Sequence, residues 1–189
     1  MVLRADAATL FLLSNGLERF LKVAVHILHF EAHGAFRPKL RNLGHGPLLA
    51  EAEILRLESP RVRDTVRARE DLNFAKTDGL LRALLDCLNA FAVTDRYFML
   101  DGAAGEPIDP ERNPHEMWEG VLSQVAGGNR VAMDRATVAE LLIGRIQRYL
   151  RCIAQAVCDS TTGDARSLAS GMHCFFLLTD SDIETPVRR

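Results

Sequence analysis

The sequence predicts an all-α fold, an up-and-down antiparallel helical bundle with additional C-terminal helices. Three observations predict it. Apolar residues recur at three- and four-residue steps through most of the 189 residues, the period of a helix face. No stretch shows the two-residue alternation of a half-buried strand. Glycine, proline and capping residues fall between the periodic segments, where helices start and stop. The length fits one domain, residues 1–189. Its core is expected over 5–100, followed by a long loop with a short helix over 101–131. Further helices are expected over 132–178 and a frayed polar tail over 179–189.

The first helix spans about residues 6–32, through Leu10, Leu13, Leu17, Phe20, Leu21, Ala24, Ile27 and Leu28. Asn15-Gly16 interrupts the pattern and marks a bend or a division into two shorter helices. Gly34 ends it, and a Gly/Pro-containing loop follows over 34–46. Pro47 suits the first turn of a second helix through Leu55. Residues 59–76 are dominated by charge. Ser59-Pro60 opens a solvated helix there, with a break near Asp71–Asn73. Its arginines from Arg61 to Arg69 alternate with Asp64 and, just after, Glu70, which reads as a solvated face more than a nucleic-acid footprint.

Residues 77–93 form the most apolar helix, capped by Thr77 or Asp78. Two glycines and two prolines make 101–113 a loop. Asn113-Pro114-His115-Glu116 is a cap, a first-turn proline and a capping-box glutamate. The short helix it opens carries Trp118 and stops at Gly127-Gly128. With His115 and Glu116, Trp118 reads as a satellite core, or as an interface. Asp134 opens a long helix through Val157. Residues 159–164 are a turn, and 165–178 a last helix or short apolar strand.

Composition narrows the class. Charged residues make up 25% and hydrophobic residues 48%, with a formal net charge of −2, so the overall field favours neither nucleic acid nor an anionic membrane. No apolar run reaches the roughly 18 residues of a membrane span. Residues 7–13 imitate a signal-peptide core, but Asp6 precedes them and no small-residue cleavage site follows. Cys87, Cys152, Cys158 and Cys174 show no two-residue metal spacing and read as reduced core residues of a cytoplasmic protein. No Ser-His-Asp order, phosphate-binding glycine loop or dinucleotide fingerprint is present, and no cofactor is expected.

Three features then fall in a recognisable order. The first helix carries Leu17-Glu18-Arg19-Phe20-Leu21-Lys22. The loop carries Lys39-Leu40-Arg41-Asn42-Leu43-Gly44-His45-Gly46, immediately before a Leu-rich helix. A later apolar helix ends in Asp95-Arg96-Tyr97. The chain resembles the HEPN superfamily, the higher-eukaryote and prokaryote nucleotide-binding domains, in its branch with a Gly-His turn. The resemblance covers roughly residues 5–100. It implies a compact helical bundle, often dimeric. Such proteins occur in bacterial defence or toxin–antitoxin systems, as metal-independent ribonucleases or as inactive binding modules. The aspartate that follows Gly-His in that branch is Gly46 here, so a capping carboxylate is missing. The ribonuclease members place a histidine five to seven residues after an arginine. Arg41 and His45 are too close for that pattern. Arg19 with His26 and Arg166 with His173 fit it, but 20 arginines and six histidines give roughly two such pairs by chance.

Several constellations remain open, each with a structural alternative. Arg41, Asn42 and His45 precede a helix N-terminus, whose free N–H groups and dipole favour an anion. Arg41 would fork a phosphate while His45 donates or acts as general acid. In the structural alternative, His45 bonds backbone and Gly46 supplies the cap. Arg96 would join Arg41 around the anion, with Tyr97 beside it, or both simply end a helix. Lys22 pairs with Glu18, either on the surface or partly buried and facing the loop. His26, His29 and His33 share a helix face with Glu31 nearby, and His29 with His33 has the i, i+4 spacing of a metal pair. The alternative is a polar helix face.

The leading expectation is a homodimeric cytoplasmic module that binds RNA, a nucleotide or a partner protein, such as an antitoxin or a nucleotidyltransferase, without strong catalysis. The runner-up is a metal-independent ribonuclease using His45 or His173. A third is a dimerisation module without ligand. No membrane association is expected.

Overall fold

The computed structural model describes residues 7–39, 46–56, 66–104, 113–126, 135–172 and 174. Side chains are described for all of these except 7, 8, 55, 56, 93–104 and 135. The described residues form α-helices α1 (Ala7–His33), α2 (Pro47–Arg56), α3 (Val66–Thr77), α4 (Gly79–Ala104), α5 (Pro114–Val125), α6 (Arg135–Ser160) and α7 (Gly163–Leu168). A 3-10 turn, Ala169–Met172, follows. No strand occurs among the described residues, so the fold is an all-α bundle.

One apolar core joins α1, α4 and α6. Leu17, Leu21 and Ala24 of α1 meet Leu81, Leu84, Leu88 and Phe91 of α4 and Ile146, Ile153 and Val157 of α6. Removing each such large side chain from water is worth about 1.5–3 kcal/mol. Polar pairs fix the directions of the helices. Asp71 meets Arg148 and Arg151 while Asp78 meets Arg145, so α3 and α6 run antiparallel. Gly46 lies against Asn89 while Glu51 meets Arg82, so α2 and the first half of α4 do too.

Local chemistry sets several ends. Gly34 adopts a left-handed φ of 67° and donates its N–H to Phe30 O at 2.8 Å, closing α1. Asp78 Oδ1 accepts from Leu81 N at 2.6 Å and caps α4. Asn113 Oδ1 accepts from His115 N at 3.0 Å, with Pro114 at the first position of α5. Glu116 answers the Asn113 carboxamide, at 3.2 Å, in place of the backbone N–H of a capping box.

Three readings from sequence need correction. α1 passes through Asn15-Gly16 unbroken. Gly16 costs about 1 kcal/mol in a helix interior. Burial of Leu17 and Leu21 just beyond it, and a 2.7 Å hydrogen bond from Ser14 Oγ to Leu88 O, outweigh that cost. α3 runs on through Asp71–Asn73, because the Asp71 carboxylate is engaged by α6 and does not compete for its own backbone. α4 continues to Ala104, well past residue 93 and into the expected loop. No breaker precedes Gly102, and α5 packs along α4 through Cys87–Pro114 and Phe91–His115 contacts. Of the two alternatives for 165–178, the described residues 165–172 take the helical one. The expected start at Ser59-Pro60, the stop at Gly127-Gly128 and the tail 179–189 lie outside the described residues.

All four cysteines are free, with Cys87, Cys152 and Cys158 buried and Cys174 exposed. No described helix is long and apolar enough to cross a membrane.

Candidate functional site

Arg41, Asn42 and His45 lie outside the described residues. What is described is the frame on either side of them. Lys39 enters the segment with φ 60°, a left-handed conformation that costs a non-glycine residue about 1–2 kcal/mol. Gly46 leaves it buried against α4. A β-carbon built at position 46 would fall inside the Asn89 carboxamide oxygen. A side chain at position 46 would therefore have to displace the Asn89 carboxamide. Leu49 N donates to Gly46 O at 3.3 Å as α2 begins. The exit of the candidate loop is thus pinned to α4 at Asn89.

Arg96 and Tyr97 belong to α4, and their side chains are not among those described. Position 96 stands seven residues beyond Asn89, two helical turns along, and returns to about the same side of α4. Lys22 and Glu18 form a half-buried ion pair on α1; the loop it was expected to face falls outside the described residues.

The histidines of α1 divide into two groups. His29 and His33 stand together, ring centroids 4.4 Å apart. His26 turns toward Phe36 in a T-shaped contact at 5.8 Å, and its buried Nδ1 has no hydrogen-bond partner. Burial, then the nearby His29 and Arg37, hold the His26 pKa below the usual value. Glu31 is occupied: Thr162 donates to it from N at 3.0 Å and from Oγ1 at 2.8 Å, tying α7 to the end of α1. Among the described residues, no group of three or more potential ligands is placed to hold a metal ion. Arg166 is exposed on α7, and His173 is not described.

Sequence reading missed buried polar groups linking α3 to α6 and α2 to α4. Asp71 accepts from Arg148 Nε at 2.8 Å, from Arg151 Nε at 2.6 Å and from Arg151 Nη2 at 2.8 Å. Glu51 of α2 receives both Nη atoms of Arg82 at 3.2 Å. Arg148 also covers the Phe74 ring, 4.4 Å from its centroid. Tyr149, fully buried, directs its hydroxyl toward Glu51 without a hydrogen bond of good geometry. Burial and the Glu51 charge push that phenol well above its usual range. Burial pushes the Cys152 thiol up to about 12. Both groups stay protonated at neutral pH, so neither is an activated nucleophile. The cluster is a structural ion-pair core. Its signal was present: Asp71 falls on the buried stripe Ala68, Asp71, Ala75 of an otherwise charged helix.

Trp118 packs against the main core rather than forming a satellite of its own, with its Nε1 unpartnered. Comparison with known proteins finds no matching family model, no matching curated protein and no matching solved structure.

Proposed function

We propose that the chain is a HEPN-like binding module that holds a phosphate-bearing ligand, RNA or a nucleotide, without strong catalysis. In this reading the ligand sits at the segment before α2, with Arg41 as the phosphate fork, Asn42 and His45 as hydrogen-bonding partners and Arg96 joining Arg41 around the anion. The observation that supports this reading is the Gly46–Asn89 contact. It seats the exit of the loop against α4, two turns before Arg96, at a helix N-terminus suited to an anion. The Gly44-His45 pair in the sequence before α2 and the Asp95-Arg96-Tyr97 segment, which α4 passes through rather than ends on, carry the resemblance that names the ligand class. We infer a cytoplasmic homodimer acting beside a partner of the antitoxin or nucleotidyltransferase kind.

Fluorescence anisotropy of a labelled single-stranded RNA tests the proposal. Arg41→Ala and Arg96→Ala should each weaken binding and reduce the slope of log affinity against log salt, by about 0.7 per lost phosphate contact. Equal affinity and slope in all three proteins would refute it.

A further inference from the structure

We propose that His29 and His33 form a chelating site for one divalent transition-metal ion, Zn2+ or Ni2+, at the C-terminal end of α1. The inference is independent of the loop before α2. The two residues are four apart, so one helical turn brings their side chains to the same face. Their ring centroids are 4.4 Å apart and the ring planes are inclined by 47°. Small rotations of two rings so placed bring a nitrogen of each to a shared ion, at bond lengths of about 2.0–2.1 Å.

The tautomer suits this role. His29 Nδ1 lies 2.9 Å from the carbonyl oxygen of Ala35. A carbonyl only accepts, so Nδ1 donates, and in the neutral ring Nε2 keeps the lone pair that a metal requires. A ligating histidine is commonly oriented by such an outer hydrogen bond. The Ala35 carbonyl is itself positioned by the turn at Gly34, whose left-handed conformation folds the chain back across the helix end. The site also lies at the carbonyl end of a 27-residue helix, where the helix dipole favours a cation.

The neighbouring groups leave the pair as the only protein ligands among the described residues. Glu31 is held by Thr162, Arg37 and Glu53 pair with each other, and His26 faces Phe36. Water fills the remaining positions, giving an open, solvent-facing site. Two imidazoles select Zn2+, Ni2+ or Cu2+ over Mg2+ and Ca2+.

The test is calorimetric titration of Ni2+, and separately of Zn2+, into the full chain free of any affinity tag. One ion should bind per chain. His29→Ala and His33→Ala should each weaken binding about tenfold or more, while Cys174→Ser leaves it unchanged. His33 is exposed, so His33→Ala keeps its fold, which circular dichroism verifies. The ring proton signals of His29 and His33 should shift together in the NMR spectrum on adding Zn2+. No binding of either ion would overturn the proposal, as would binding that survives in His33→Ala or disappears in Cys174→Ser.

Discussion

Arg151 of α6 grips Asp71 of α3 in the protein interior, its Nε 2.6 Å from one carboxylate oxygen and its Nη2 2.8 Å from the other. Both side chains are almost wholly shut off from solvent. Arg148 adds a third hydrogen bond to the same carboxylate. The pair locks the antiparallel register of α3 and α6, since a slip of either helix would strand a buried charge.

Asp71→Ala should destabilise the fold by about 3–5 kcal/mol, the scale for removing one partner of a buried ion pair. Replacing both members, Asp71→Leu with Arg151→Met, should recover part of that loss, because Arg148 is one-third exposed and can be hydrated. Urea denaturation followed by circular dichroism measures both variants. An Asp71→Ala midpoint equal to wild type would show that the pair does not hold the register.

Tyr149→Phe should raise stability by about 1 kcal/mol. The buried hydroxyl has no well-formed hydrogen bond, and an unsatisfied buried polar group costs about 1–3 kcal/mol. The same denaturation experiment reads it. Destabilisation would mean that the hydroxyl and Glu51 do share a hydrogen bond in solution.

Gly46→Ala should cost about 1 kcal/mol, the low end of the scale for overpacking, because the new methyl group displaces the Asn89 carboxamide, the free end of a half-buried side chain. Asn89→Ala opens that space, so the two substitutions together should cost less than their sum. A double-mutant cycle on thermal stability checks this. Strict additivity would place the origin of the glycine elsewhere.

Burial raises the Asp86 carboxyl above its ordinary pKa of 3.8, against the opposing pull of Arg82. The charged form is therefore disfavoured in the folded state. Stability from this group is fully present below pH 3.8 and is lost as pH rises through the higher folded-state value. Asp86→Asn should stabilise the protein at pH 7, and its advantage should fade as pH falls toward 3.8. Denaturation midpoints of both proteins across that range give the comparison. A constant difference would indicate that the carboxyl titrates alike in both states.

The helix ends that rest on adjacent residues were legible in the sequence. Gly34, Pro47 and Asn113-Pro114 each act within one turn, and their chemistry is local. What depends on distant partners was not. Asp71 looks like a helix breaker until Arg151, 80 residues away, engages its carboxylate. Gly46 reads as a cap, and its contact with the Asn89 side chain of α4 appears only in the fold. The i, i+4 spacing of His29 and His33 was visible from the start, but the Ala35 carbonyl that orients His29 comes from a backbone turn that no pattern of side chains reveals.

Binding of a phosphate-bearing ligand at the loop before α2 is tested most directly on one gel. Purified protein is titrated into end-labelled RNA in the presence of a chelator, at low salt, beside Arg41→Ala, His45→Ala and His173→Ala. Retardation of intact RNA by the wild type, weakened in Arg41→Ala, is the expected result. RNA that migrates unshifted and uncut would contradict RNA binding. Metal-independent cleavage that vanishes in His45→Ala or His173→Ala would replace a binding module with a ribonuclease.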